Sequence, residues 1–187
     1  LAVSWTDTIQ ASLMITALIL APLMVIYADG GVAASNAVVQ TVRPGALNML
    51  ANLDTIAIVS LLAWGLGYFG QPHILVRFMA AESVKTIPNA RRIGISWMVL
   101  CLAGAVAVGY FGIAYFGTRP DQAAGVSANS ETVFIEVAKQ LFNPWIAGIL
   151  LASILAAVMS TLSCQLLVCS SALTQDIYKT FLRKQAV

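Results

Sequence analysis

Four stretches of this chain carry no Asp, Glu, Lys or Arg: Thr8 to Ala28, Thr55 to Val76, Ile93 to Phe116 and Gln140 to Gln175, of 21, 22, 24 and 36 residues. A helix needs about 20 apolar residues to cross a hydrocarbon layer of about 30 Å, so each stretch is long enough to span a bilayer. Inside lipid the backbone finds no water, and only helices or closed barrels satisfy every N–H and C=O. The apolar–polar alternation of a membrane strand is missing from these windows, which leaves helices. Charged residues are 10% of the 187 and hydrophobic ones 59%, against roughly 25% charged in a soluble domain. A water-soluble globule is nearly excluded.

The expected fold is therefore all-α, a polytopic transmembrane helix bundle with four spans near 4–28, 54–78, 92–116 and 143–172. Asn143-Pro144 suits a helix start, since a first-turn proline loses an N–H that has no helical partner anyway. Between the spans lie loops of about 29–53 and 117–142, a basic link of about 79–91 and a tail of about 173–187. The link and tail, with the flanking span ends, hold Arg77, Lys85, Arg91, Arg92, Lys179, Arg183 and Lys184, seven of the ten basic residues; the other loops hold Arg43, Arg119 and Lys139. Basic residues stay on the cytoplasmic side, so link and tail face the cytoplasm and the two longer loops face out. Within the second outer loop, Glu131 to Phe142 has apolar residues at helical spacing and reads as a short helix over the outer mouth.

The chain opens on Leu1 with no leader pattern, and reads as part of a longer polypeptide. Cys101, Cys164 and Cys169 lie in apolar windows as small packing residues, and their spacing makes no disulfide or metal framework. A net charge of +2, with dispersed basic residues, gives no footprint for nucleic acid.

The most informative stretch is Ala63-Trp-Gly-Leu-Gly-Tyr-Phe-Gly-Gln-Pro-His73. Each glycine weakens a helix by about 1 kcal/mol and proline by about 3, and Pro72 has no N–H for the carbonyl of Tyr68. Such a segment is expected to unwind, and transporters place substrate sites at breaks of this kind. Trp64 and Tyr68, four apart, share a face, and an aromatic pair beside freed backbone groups suits a small zwitterion. The competing reading is a glycine-rich packing surface with a proline kink. His73 follows the break as a hydrogen-bonding or gate residue.

In the last span, Ser153, Ser160, Thr161 and Ser163 bring hydroxyls to membrane depth. Sodium is a hard cation that takes oxygen ligands, and a Ser-Thr pair with a carbonyl from the preceding turn offers two or three at one depth. The alternative is helix–helix hydrogen bonding. Asp7, near the start of the first span, is either a functional acid at membrane depth or a first-turn residue favoured by the helix dipole. No nucleophile elbow, phosphate loop, metal spacing or paired carboxylates occur, so nothing points to an enzyme.

Together with Ala90-Arg-Arg-Ile-Gly94, Phe111-Gly-Ile-Ala-Tyr-Phe116, Phe142-Asn-Pro-Trp-Ile-Ala-Gly148 and Ala156 to Ser171, the segment Trp64 to His73 resembles the sodium/solute symporter family, in its bacterial proline-transporting branch. The likeness covers essentially the whole chain. It implies a core of two inverted five-helix repeats, these spans being the last helix of the first repeat and the first three of the second. It implies that Trp64, Tyr68 and Pro72 bind proline, that Ala157, Ser160 and Thr161 ligate sodium, and that Asp7 is functionally important. The implied partners are proline, sodium as coupling ion with no other cofactor, the bilayer of the bacterial inner membrane, and further helices of the same polypeptide. The broken first helix of the first repeat would lie upstream. A sodium symporter for another small solute, or a channel or non-transporting subunit, are the alternatives. Channels favour charged rings or carbonyl filters.

Topology is directly testable. Cysteines placed at Lys85 and Arg183 are expected to react with a membrane-impermeant thiol reagent only from the cytoplasm, and one at Gln122 only from outside; the reverse pattern overturns the orientation.

Overall fold

The computed structural model describes residues 2–48, 50 and 53–182. The side chain of His73, and Arg183 and Lys184 of the tail, lie outside the described residues. The chain is helical throughout, with no strand among those residues. The helices are α1 (Ala2–Ala28), α2 (Val32–Val42), α3 (Thr55–Gly67), α4 (Pro72–Met79), α5 (Ile87–Gly117), α6 (Ala124–Ala128), α7 (Val133–Leu141) and α8 (Pro144–Ser171), and the winding continues as a wider π-helix over Ala172–Leu182.

Three helical segments are long and apolar enough to cross a membrane: Trp5–Ala28, Val84–Gly117 and Pro144–Lys179. The window between 54 and 78 is built in two pieces. α3 has 13 residues, which rise only about 20 Å; a 3-10 turn over Tyr68–Gly70 and then α4 follow. Helix ends follow local chemistry. Asp54 caps α3 by accepting from the Ala57 amide at 2.8 Å, and Asn143 caps α8 by accepting from Ile146 at 3.0 Å, with Pro144 in the first turn. These side chains satisfy amides that a helix start leaves without partners. α5 begins at Ile87, nearly two turns before its charge-free stretch, with Pro88 at its start.

Between α1 and α3 sits α2. Gly30 and Gly31, at φ 83° and 115°, turn the chain from α1 into α2 through conformations that a side chain disfavours. The Gly31 amide donates to the Ile26 carbonyl at 2.8 Å, closing the end of α1. Between α5 and α8 in the chain, α7 packs on α1, α5 and α8.

α5 is the hub. It packs on α1, α2 and α7, while α1 also packs on α8. Pro22 lies inside α1 and cannot donate to the carbonyl of Leu18. Gly104 of α5 faces that carbonyl: a Cβ added there would come within 2.9 Å of the Leu18 oxygen. Farther along, Gly112 leaves room for Val133 of α7 and Gly117 for Val42 of α2. Ala21, Val25, Val108, Tyr115, Phe116 and Val137 form the core between them, and Ala17, Ala138 and Leu150 form a second cluster.

The end of the bundle where α1 and α5 both stop is closed by polar contacts. Arg119 donates to Asp29 at 2.9 Å, to the Tyr115 carbonyl at 3.1 Å and to the Thr118 hydroxyl at 3.0 Å. Its guanidinium lies 4.1 Å from the centroid of the Tyr115 ring. The Asp29 side chain is only 6% exposed and that of Arg119 31%, so the pair joins the end of α1 to the end of α5 with the carboxylate shielded and the guanidinium partly open to solvent. The Tyr110 hydroxyl donates to Asn36, tying α2 to α5.

If the Gly104 approach organises the bundle, Gly104→Val should lower the thermal unfolding midpoint of the detergent-solubilised protein. Overpacking of this kind costs about 1–3 kcal/mol. Gly109→Ala, whose Cβ would meet no atom within 4 Å, should leave the midpoint unchanged or raise it. Equal losses in both variants would show that the close approach contributes nothing special.

Candidate functional site

The break between α3 and α4 is local in origin. Gln71 is extended, at φ −83° and ψ 113°, its amide reaches the Tyr68 carbonyl at 3.4 Å, and Pro72 opens α4. Proline restricts the residue before it to extended conformations, so the helix has to stop at Gln71 and restart. Trp64 and Tyr68 stand one turn apart just before the break, with ring centroids at 5.3 Å and planes at 66°. This is the edge-to-face arrangement that aromatic quadrupoles favour. The pair is open, Trp64 being 71% and Tyr68 46% exposed. A Cβ at Gly65, Gly67 or Gly70 would meet nothing within 4 Å. These glycines therefore leave a bare surface and form no packing seam with the described helices; the seam glycines lie on α5.

On α8, the Ser160 hydroxyl donates to the Ala157 carbonyl at 3.0 Å and the Thr161 hydroxyl donates to the same oxygen at 3.2 Å. Three oxygens thus converge on one turn. Ser153 donates to Leu150 at 2.6 Å and Ser163 to Met159 at 2.8 Å, so each of the four hydroxyls bonds a carbonyl of its own helix. A hydroxyl that donates once keeps two acceptor lone pairs. Thr161 is exposed and Ser160 half-buried, and Ala157 borders two cavities. One, of about 410 Å³, also touches Thr161 and Gln165; the other, of about 350 Å³, runs past Ser153 and Phe134 to Glu131, just before α7.

Asp7 lies beyond the first turn of α1, which holds no acid; a dipole effect confined to the first turn does not account for it. Its Oδ2 is 3.8 Å from the sulfur of Cys164, a weak S–H donor. Cys164 follows Thr161 by three residues and Ser160 by four, so it shares their face. Helix packing of α1 on α8 thereby brings an acid against Cys164, which stands one turn from Ser160 and Thr161 on the same face of α8. No sequence signal links residues 157 positions apart, and Cys164 had no role in the linear reading beyond packing. α4 packs on α8, whereas α3 buries no residue. The structure thus places the aromatic pair on α3 and the 3-10 turn that follows it, and the oxygens and Asp7 on α8 and α1.

Chemically, hydroxyl and carbonyl oxygens suit a hard cation. No group of three or more His, Cys, Asp or Glu that could hold a metal ion occurs among the described residues. A half-open aromatic pair next to a helix break suits a small apolar ring with a polar end.

An all-helical membrane bundle with one interrupted span is the architecture in which secondary transporters build their sites. The chain belongs to the sodium:solute symporter family, whose profile matches residues 1–187. It is 66% identical over 186 residues to the sodium/proline symporter of Salmonella typhimurium, a match that takes in all of this chain and 37% of that protein. The sodium/proline symporter of Escherichia coli is likewise 66% identical, with the same shares covered. The high-affinity proline transporter PutP of Bacillus subtilis is 49% identical over all of this chain and 38% of its own length. The chain therefore spans about 37% of the length of these curated relatives. No solved structure matches it.

Proposed function

We propose that this chain forms the middle of a sodium-coupled proline symporter of the bacterial inner membrane, working by alternating access around a midplane site. The observation that carries the reading is the convergence of the Ser160 and Thr161 hydroxyls on the Ala157 carbonyl, on the face of α8 where Cys164 meets Asp7 at 3.8 Å. The names of the 66% identical relatives support sodium and proline as the transported pair. Sodium is held by Ala157, Ser160 and Thr161, and each hydroxyl turns its proton away so that a lone pair faces the ion. Asp7 is a positioning residue that lowers the cost of bringing a cation to membrane depth, through a field that low dielectric strengthens. Remaining ion ligands come from helices beyond this segment. Trp64 and Tyr68 hold the pyrrolidine ring, and the interrupted backbone before Pro72 presents dipoles to the charged end of the substrate. Rocking of the packed helices against the rest of the bundle then exposes the site to either side.

In the complete transporter, labelled proline uptake should require a sodium gradient. Trp64→Ala and Tyr68→Ala should each raise the proline concentration for half-maximal uptake about 5-fold or more, the cost of losing an aromatic contact in a binding site. Sodium-independent uptake, or an unchanged proline dependence in both variants, would sink the reading.

Ser160→Ala and Thr161→Ala should raise the sodium concentration for half-maximal uptake roughly tenfold or more, since about 1.4 kcal/mol suffices for that. Proline affinity at saturating sodium should move little, because coupling through the ion is relieved once its site is filled. Thr161→Ser, which restores the oxygen, should recover most of the loss. Sodium curves that overlay the parent, normalised to protein in the membrane, would return these hydroxyls to a packing role.

A further inference from the structure

The turn that joins α4 to α5 encloses a cavity of about 510 Å³ for which transport, as described above, has no use. Phe78 and Ala81 line it from the end of α4 and the residues that follow, and Ile87, Ala90 and Ile95 line it from the first turns of α5. Gly94 opens it further, since a Cβ there would meet nothing within 4 Å. Arg91 belongs to the same lining and makes no hydrogen bond or ion pair among the described residues. Between Met79 and Arg92 the chain carries Lys85, Arg91 and Arg92 against one acid, Glu82.

Depth decides what such a cavity can take. The charge-free stretch of α5 begins at Ile93, so Arg91 sits where hydrocarbon gives way to headgroups, whichever side of the membrane the turn faces. An apolar trough there needs an apolar occupant, and the unpaired guanidinium beside it needs an anion. Guanidinium binds phosphate through two parallel N–H···O bonds, and basic pockets between membrane helices take anionic headgroups. A free phosphate would leave the apolar walls bare, and an apolar helix would leave Arg91 unpaired. We propose that the α4–α5 trough seats one anionic glycerophospholipid, its phosphate on Arg91 and an acyl chain along Phe78, Ala90 and Ile95. The inference rests on the family membership and not on the identity of the solute.

The test uses the complete transporter in detergent, with phosphatidylglycerol or phosphatidylcholine added, read by native mass spectrometry and by crosslinking to phosphatidylglycerol with a diazirine on its acyl chain. Phosphatidylglycerol should be retained in preference to phosphatidylcholine, and the crosslinks should map to residues 78–95. Arg91→Gln should weaken its retention roughly fivefold, the worth of one basic residue at an anionic surface, and Arg91→Lys should keep most of it. Gly94→Leu, which fills the trough without touching the charge, should weaken it comparably. Equal retention of the two lipids would overturn the proposal, as would crosslinks mapping only elsewhere on the polypeptide, or displacement by millimolar inorganic phosphate. Unchanged binding in both Arg91→Gln and Gly94→Leu would do the same. The crosslink map of the unaltered protein decides even if a variant folds poorly. Failure of proline uptake with lipid retention intact counts against the transport reading alone.

Discussion

The contact between Gly104 and the carbonyl of Leu18 holds the frame on which the rest hangs. In lipid, helices gain little from hiding apolar surface from each other, so association depends on close packing between small residues. α1 contains Pro22, which leaves the Leu18 carbonyl without its helical donor, and α5 presents a residue with no side chain to that point. The two backbones can then approach near the distance at which Cα–H groups interact favourably with carbonyls. Gly112 and Gly117 extend the same device to α7 and α2, so α5 draws three neighbours in by lacking side chains where they pass. The Asp29–Arg119 pair ties the end of α1 to the end of α5. Removing Arg119 would leave the shielded Asp29 carboxylate without its partner.

The candidate site follows from that frame. α5 fixes α1, and α1 carries Asp7 against Cys164 of α8, beside the turn on which Ser160 and Thr161 converge on Ala157. The interrupted span is held differently. α3 buries no residue and α4 alone packs on α8. α1 thus packs on both α5 and α8, whereas the proline break leaves Trp64 and Tyr68 exposed before it.

Much of this was legible in the sequence, because some signals are strictly local. Hydrocarbon thickness translates directly into run length, so charge-free windows mark membrane helices without any knowledge of their neighbours. Pro72 and the residue before it are constrained by their own covalent geometry, and the stop at Gln71 follows. Asn143 before Pro144 caps α8 for similarly local reasons. The α2 helix was not legible, since it sits in a loop of mixed polarity and is held by Ser35 and Val39 packing inward. Glycine was informative but ambiguous. Gly65, Gly67 and Gly70 and Gly104, Gly112 and Gly117 look alike in a list, yet only the second set has neighbouring atoms where a side chain would be.

The sequence by itself determined that this chain lives in a membrane as helices, where one of them breaks, and which side chains carry oxygens at membrane depth. Each of those properties depends on run length, on a torsion or on a residue's own atoms. Only the tertiary structure decided which glycines serve as seams, that Asp29 answers Arg119, and that Asp7 comes to lie against Cys164, a turn along α8 from Ser160 and Thr161. Those pairings join residues tens to more than a hundred positions apart. They follow from which face each helix turns toward its neighbours, and among four uniformly apolar windows no sequence periodicity distinguishes one face from another.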